Sequence, residues 1–280
     1  MDTDYADDMA TLDNINYGLQ ESTDLLSKHC SYGGLKINAS KTKTMAFSKN
    51  AGQRPYTEAC TIDITVDGIP VEQVSQFIYL GAVISGDGKI DYEITARIQK
   101  AAGAFNQLGK IWNNRNIFST TKVRIYKAAV ITILTYWSET WNTTSSQTKR
   151  LEVFHQRCLR RILKIKWFHH VKNESVLAQA QITNIETIVS SMRLRWFGHI
   201  VRMPDNRLPS FLLEWKPNYG KRSRGRPRKS WIACVREDAT KFLEIDVDLE
   251  DIKVLARDRQ QWREMIRHKR VFTGAGHSND

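Results

Sequence analysis

Residues 5–8 read Tyr5, Ala6, Asp7, Asp8, and this stretch decides how the rest of the chain is read. A tight turn that throws two adjacent carboxylates out of a short hairpin is a place to hold divalent cations. Hard oxygen ligands suit Mg²⁺ or Mn²⁺. Two such ions activate a 3′ hydroxyl and stabilise a leaving pyrophosphate in nucleotidyl transfer. Taken alone, the same four residues also describe a solvated polar loop, so their meaning depends on the segments downstream of them.

Beyond a helical stretch come Gly34, Leu35, Lys36, Ile37, Asn38, then Lys41, Thr42, Lys43, and further on Phe77, Ile78, Tyr79, Leu80, Gly81. In this order the segments resemble the C-terminal part of the palm of a non-LTR retrotransposon reverse transcriptase. The resemblance continues through Arg195, Trp196, Phe197, Gly198, His199, through Arg202, Met203, Pro204, and through Arg224 to Lys229.

It implies RNA-directed DNA polymerisation, with Asp7 and Asp8 as catalytic ligands of Mg²⁺ or Mn²⁺ and an RNA template and a DNA primer or target as partners. It implies Lys41 or Lys43 near the leaving pyrophosphate, where a cation that can give up a proton is required. Tyr79, Leu80 and Gly81 would grip the primer end. The implied fold is α+β: a partial palm of short antiparallel strands plus a helix, then a mostly helical thumb and C-terminal region. The family's polymerase also needs a further catalytic Asp and fingers upstream of the turn, and Met1 stands four residues before it. The expectation is a fragment that does not polymerise alone and whose strand before the turn frays for want of a partner. The alternative is a non-enzymatic DNA- or RNA-binding protein.

Composition bears on both readings. The 280 residues carry a formal charge of +12, and 41% are hydrophobic, enough to bury a core. Such a basic balance favours polyanionic partners, with nucleic acid ahead of a membrane surface because the longest apolar run, Ala128 to Trp137, is too short to span a bilayer. Cys30, Cys60, Cys158 and Cys234 lie far apart without a CxxC pair, and no secretory signal precedes them. They read as reduced thiols of an intracellular, nuclear or cytoplasmic protein. His155 and Cys158, with His169 and His170 nearby, lack the remaining cysteines of a compact tetrahedral site, so zinc is not expected.

Along the chain, four parts are expected: a partial palm over 1–88, a thumb-like bundle over 89–170, a basic helical region over 171–270, and a tail over 271–280. Ile15, Leu19, Leu25 and Leu26 predict an amphipathic helix stopped by Gly33 and Gly34. Residues 35–48 suggest two short strands around a turn at Asn38 to Lys41. Ile62, Ile64 and Val66 alternate up to Asp67-Gly68, a strong hairpin signal, and Phe77 to Ile84 reads as a buried strand run. From Ile90 the period becomes helical, with faces at Ile90, Ile94, Ile98, Ala101, Phe105, Leu108 and Trp112, at Val123, Tyr126, Val130, Ile133 and Trp137, and at Leu151, Phe154, Cys158 and Ile162. Ile252, Leu255, Trp262 and Ile266 predict one further helix, with Asp248 at its N-cap.

Two basic stretches stand out. Arg150, Arg157, Arg160, Arg161, Lys164 and Lys166 are opposed only by Glu152, and Trp167 and Phe168 come directly after. Cations with aromatics at one end suit a phosphate backbone and an exposed base. Lys216 to Lys229 holds seven basic residues and no acidic one, and its Arg224, Gly225, Arg226, Pro227 resembles an AT-hook core. Arg224, Arg226, Arg228 and Lys229 are its candidate nucleic-acid contacts.

Overall fold

Two-residue turns shape the first third of the chain. A computed structural model describes residues 2–13, 15–47, 61–215, 229–244 and 248–272, and the chain divides into two units, Met1–Glu93 and Ile94–Asp280. In the first unit, β1 (Asp2–Tyr5) pairs antiparallel with β2 (Asp8–Thr11), and Tyr5 faces Asp8 across the ladder. Ala6 and Asp7 are therefore the turn itself. Ala6 has φ 56, the positive value that the first central position of a type II′ hairpin turn requires. For a residue with a Cβ this costs about 1–2 kcal/mol. The strand expected to fray finds its ladder in β2.

Helix α1 (Asn16–Tyr32) follows Asp13, whose Oδ1 accepts from the Ile15 N–H at 3.0 Å. It stops where predicted: Leu35 donates back to the Cys30 carbonyl at 2.9 Å, with Gly34 at φ 72. Its apolar stripe does not disappear under a sheet, since no α1 residue is buried. The helix docks by amides instead. The Gln20 side chain accepts from Thr65 N at 2.8 Å and donates to Thr65 O at 3.0 Å, and Asn16 donates to Thr61 O at 3.1 Å.

Of the two strands expected over 35–48, one short strand forms among the described residues, β3 (Lys43–Thr44). Asn38 organises the turn before it, its side-chain oxygen accepting from Ser40 N and Lys41 N at 3.1 and 3.2 Å. Next, β4 (Thr65–Val66) and β5 (Ile69–Pro70) make the predicted hairpin, with Asp67 at φ 50 and Gly68 at φ 78. Then β6 (Glu72–Gln73) pairs with β3, in parallel rather than the expected antiparallel sense. The run Phe77–Ile84 is not one strand but two, β7 (Gln76–Tyr79) and β8 (Ala82–Ser85), turning at Leu80 (φ 48) and Gly81 (φ 83). Among the described residues the strands pair as separate two-stranded ladders and form no common sheet. The buried Glu93 carboxylate accepts from Val83 N at 2.7 Å and so fastens the last hairpin to the first turn of the next helix.

That helix, α2 (Asp91–Gln107), is followed after a break at Leu108 by α3 (Gly109–Asn113). Trp112 folds back, its indole donating to Phe105 O at 2.6 Å while the rings stack at 5.0 Å. The chain continues as α4 (Ser119–Tyr126), a π-helical turn over Lys127–Ile131, and α5 (Thr132–Leu134). A π turn inserts an extra residue per turn. After Val130 the buried positions up to Ser138 are Ile131, Leu134, Thr135 and Ser138, while the predicted Ile133 and Trp137 are only half-buried.

Helix α6 (Ser145–Leu163) buries Leu151, Phe154, Cys158 and Ile162 as its spacing requires. It packs against α7 (Asn173–Ala180) and α8 (Ile185–Val201). After α9 (Leu208–Glu214) come α10 (Trp231–Leu243), α11 (Leu249–Arg257) and α12 (Arg259–Phe272). The single helix expected over Ile252–Ile266 is two, because Asp258 ends one and caps the next, its Oδ1 accepting from Gln260 N and Gln261 N at 2.9 and 3.0 Å. Asp248 caps α11 as predicted.

The centre of the second unit is α8, whose Leu194 and Phe197 join Val235, Ala239, Ile252, Ala256, Trp262 and Ile266 in one apolar cluster. The unit runs on through the expected boundary at 170/171 without dividing there. Cys158 and Cys234 are buried and unbridged. Among the described residues no helix is long and apolar enough to cross a membrane.

Candidate nucleic-acid interface

The side chains that α6 does not bury line a groove of about 880 Å³. Its walls carry Lys149, Arg157, Arg160, Arg161, Lys164 and Lys166, with Glu152 as the one carboxylate and with Asn113 and Asn173 at its margins. Every basic residue singled out in this stretch from Arg157 onward is there. Arg150 is not, and its guanidinium reaches Thr95 Oγ1 at 2.7 Å. Lys149 went unnoticed in the sequence, yet 149, 153, 157, 160 and 164 follow helical spacing, which places Lys149 on the groove face and Arg150 off it.

The local sequence fixes the helix at both ends. At the N-terminus Thr144 and Gln147 form a reciprocal capping box, Thr144 N donating to Gln147 Oε1 at 2.9 Å and Gln147 N to Thr144 Oγ1 at 3.4 Å. At the C-terminus Lys164 takes the left-handed conformation, φ 58, and Ile165 N donates to Arg160 O at 2.9 Å. Glycine is the usual residue there. A lysine at that point projects a cation from the end of the helix, where the helix dipole also favours positive charge.

The electrostatics of the groove follow from how its members are engaged. Glu152 does little to neutralise it, because its carboxylate accepts from Ile185 N at 2.8 Å, capping α8, and from Gln156 at 2.9 Å. Arg160 spans to Val171 O and Asn173 Oδ1, each at 2.8 Å, and holds the start of α7 against the end of α6. Arg161 lies 5.5 Å from the Phe105 ring centre and 3.4 Å from Asn106 Oδ1. Lys149, Arg157, Lys164 and Lys166 are exposed, and none has a carboxylate within ion-pairing distance among the described residues. Cations clustered this way repel one another and gain most from a polyanion.

Beneath the groove is a buried polar layer. His155 stacks on Tyr126 at 5.7 Å, and the Tyr126 hydroxyl meets His155 Nδ1 at 2.8 Å. Burial holds the His155 pKa down at about 4, although the Glu152 charge and the Thr183 backbone act in the opposite sense. Burial likewise pushes the Cys158 thiol up to about 12. Both are core groups with no opening to a ligand.

The remaining predicted site residues are distributed differently. Asp7 and Asp8 are exposed at the tip of β1–β2. Their oxygens have the right chemistry for Mg²⁺ or Mn²⁺, but two carboxylates are too few for a pair of ions. Among the described residues no three His, Cys, Asp or Glu side chains gather as a metal site. Lys43 Nζ pairs with Glu72 at 2.6 Å, whereas Lys41 is exposed in the Asn38 turn. Tyr79, Leu80 and Gly81 form the tip of the β7–β8 hairpin. Lys229 is tied to Glu237 at 2.6 Å and its carbonyl accepts from Asn142, so it is a structural residue at the start of α10. Arg224, Arg226 and Arg228 lie outside the described residues.

Within Arg195 to His199, Phe197 and Gly198 are buried and serve packing, whereas Arg195 and His199 are exposed. A Cβ on Gly198 would lie 2.4 Å from Trp262 Nε1, and that indole donates to Leu194 O at 2.9 Å. Arg193 is buried, its guanidinium paired with Asp238 and donating to Trp141 O at 3.0 Å. Ser190 Oγ also donates to Asp238, at 2.7 Å. Burial raises the Asp238 pKa, against the pull of Arg193.

Comparison with known proteins adds one relative. A transposon-derived protein of Caenorhabditis elegans is 27% identical over 272 residues, which cover 94% of each chain. This likeness supports a transposon-related origin for the chain. No family model matches the chain, and no solved structure matches it.

Proposed function

We propose that this chain is the nucleic-acid-holding part of a non-LTR retrotransposon reverse transcriptase, and that by itself it binds RNA or DNA without polymerising. The observation that carries the reading is the groove of α6, whose six cations are faced by a single carboxylate already committed to capping α8. A duplex or strand laid there would contact Arg157, Lys164 and Lys166 through its phosphates, with the Arg160 bridge keeping the groove open at the α7 end. The order of the palm-like segments supports a polymerase parentage, and the likeness to a transposon-derived protein supports a mobile-element origin.

In that parent, Asp7 and Asp8 supply oxygen ligands to Mg²⁺ or Mn²⁺. The described residues do not complete that ligand set, so no chemical step is assigned to this chain alone. The same observation favours a second reading, a DNA- or RNA-binding protein with no catalytic role. Primer extension on an RNA template with Mg²⁺ or Mn²⁺, run beside electrophoretic retardation and an Asp7→Asn control, tests both. The expected result is retardation without extension. Extension that disappears in Asp7→Asn would establish a complete catalytic site and overturn the assignment of a binding-only chain. Failure to retard any nucleic acid would remove the groove from both readings.

A further inference from the structure

The groove ends at Lys166, and the next residues form a tight 3₁₀ turn, Trp167–His169, that offers its rings to solvent. Trp167 is 83% exposed and Phe168 56% exposed. An indole left this open in a chain that buries Trp112, Trp141 and Trp262 forgoes the stabilisation burial gives. The turn is nonetheless built. Lys166 N donates to His169 Nδ1 at 3.2 Å, and His170 leaves it in the left-handed conformation, φ 49. The Trp167 and Phe168 rings meet edge to face at 5.8 Å, and Phe168 meets His169 the same way at 4.8 Å, so each ring braces the next.

We infer that this turn is a stacking platform for an unpaired nucleobase, and that the site therefore prefers a single strand, or a strand leaving a duplex, over a continuous duplex. The inference rests on reading the groove as a nucleic-acid interface and names the form of nucleic acid it takes. The phosphates would follow Arg157, Lys164 and Lys166 along the groove, and the base beyond the last phosphate contact would lie on the Trp167 face. A base held in a duplex has both faces covered by its neighbours and cannot use that surface. Stacking of this kind tolerates every base, because each has a π face, so no sequence preference is implied.

The test is fluorescence anisotropy of the full chain with three labelled probes of equal length: an oligothymidylate, the same backbone without bases, and a duplex. The wild type should bind the base-bearing strand at least ~5-fold more tightly than the abasic one, the low end of what one stacked base contributes. Trp167→Ala should abolish that ratio and leave the salt dependence of abasic-strand binding unchanged, and Trp167→Phe should keep most of it. Equal affinity of the wild type for base-bearing and abasic strands would overturn the inference while leaving the groove reading intact. So would a ratio that survives Trp167→Ala. Absence of salt-dependent binding to all three probes is a separate result, the failure of the groove reading itself.

Discussion

Replacing Lys164 by glycine should strengthen the fold and weaken the interface at once. Lys164 has φ 58 at the end of α6, a conformation that costs a residue with a Cβ about 1–2 kcal/mol. Glycine removes that cost but gives back about 0.5–1 kcal/mol through the extra freedom of the unfolded chain. The net gain should be ~0.5–1 kcal/mol, a rise in Tm of ~1–4 °C for a unit of this size. The same change deletes one exposed cation from the groove, which should flatten the slope of log affinity against log salt by about 0.7–0.9. Thermal unfolding and a salt titration of anisotropy read the two effects separately. Weaker binding by a more stable protein cannot be blamed on misfolding. A lower Tm would refute the left-handed cap, and an unchanged salt slope would refute the place of Lys164 in the interface.

Two further outcomes come from the core. Gly198→Ala should displace Trp262 and break its bond to Leu194, costing ~2–4 kcal/mol between overpacking and the lost hydrogen bond, measurable as a lower urea midpoint at unchanged slope. His155 titrates at about 4 when folded, against 6.5 for the ordinary side chain. Its contribution to stability is therefore complete above pH 6.5 and is lost as pH falls from 6.5 towards 4, by about 3 kcal/mol in all. His155→Gln should flatten the acid limb of a stability–pH profile within that window, and an unaltered limb would mean that the imidazole is not held neutral.

Much of the helical region was legible because burial enforces period. Leu151, Phe154, Cys158 and Ile162 had to share a face, and the basic residues between them had to line the opposite one. Ile133 and Trp137, expected on the buried face, are only half-buried, and nothing in Lys127–Ile131 announces the π turn that precedes them. The Arg193–Asp238 pair escaped because the partners are 45 positions apart and each alone looks like a surface charge. Among the hairpins, Asp67-Gly68 was evident from its residue types. The Ala6-Asp7 turn was read from its carboxylate motif and Leu80-Gly81 was not read as a turn, since Ala6 and Leu80 adopt positive φ that neither side chain favours. That both such positions fall within the segments resembling a catalytic turn and a primer grip is information the sequence carried only as motif, not as conformation.

The central claim is that exposed cations of α6 bind phosphate, and the salt dependence of binding tests it most directly. Log affinity for duplex DNA should fall linearly with log salt, and a triple Arg157→Ala, Lys164→Ala, Lys166→Ala variant that unfolds at the wild-type temperature should flatten that line by about 2–3, from ~0.9 per phosphate contact. Arg224→Ala with Arg226→Ala serves as the reference for the other basic segment. A slope unchanged in the triple variant, with binding lost only in the Arg224 and Arg226 variant, would contradict the account and move the interface out of the groove.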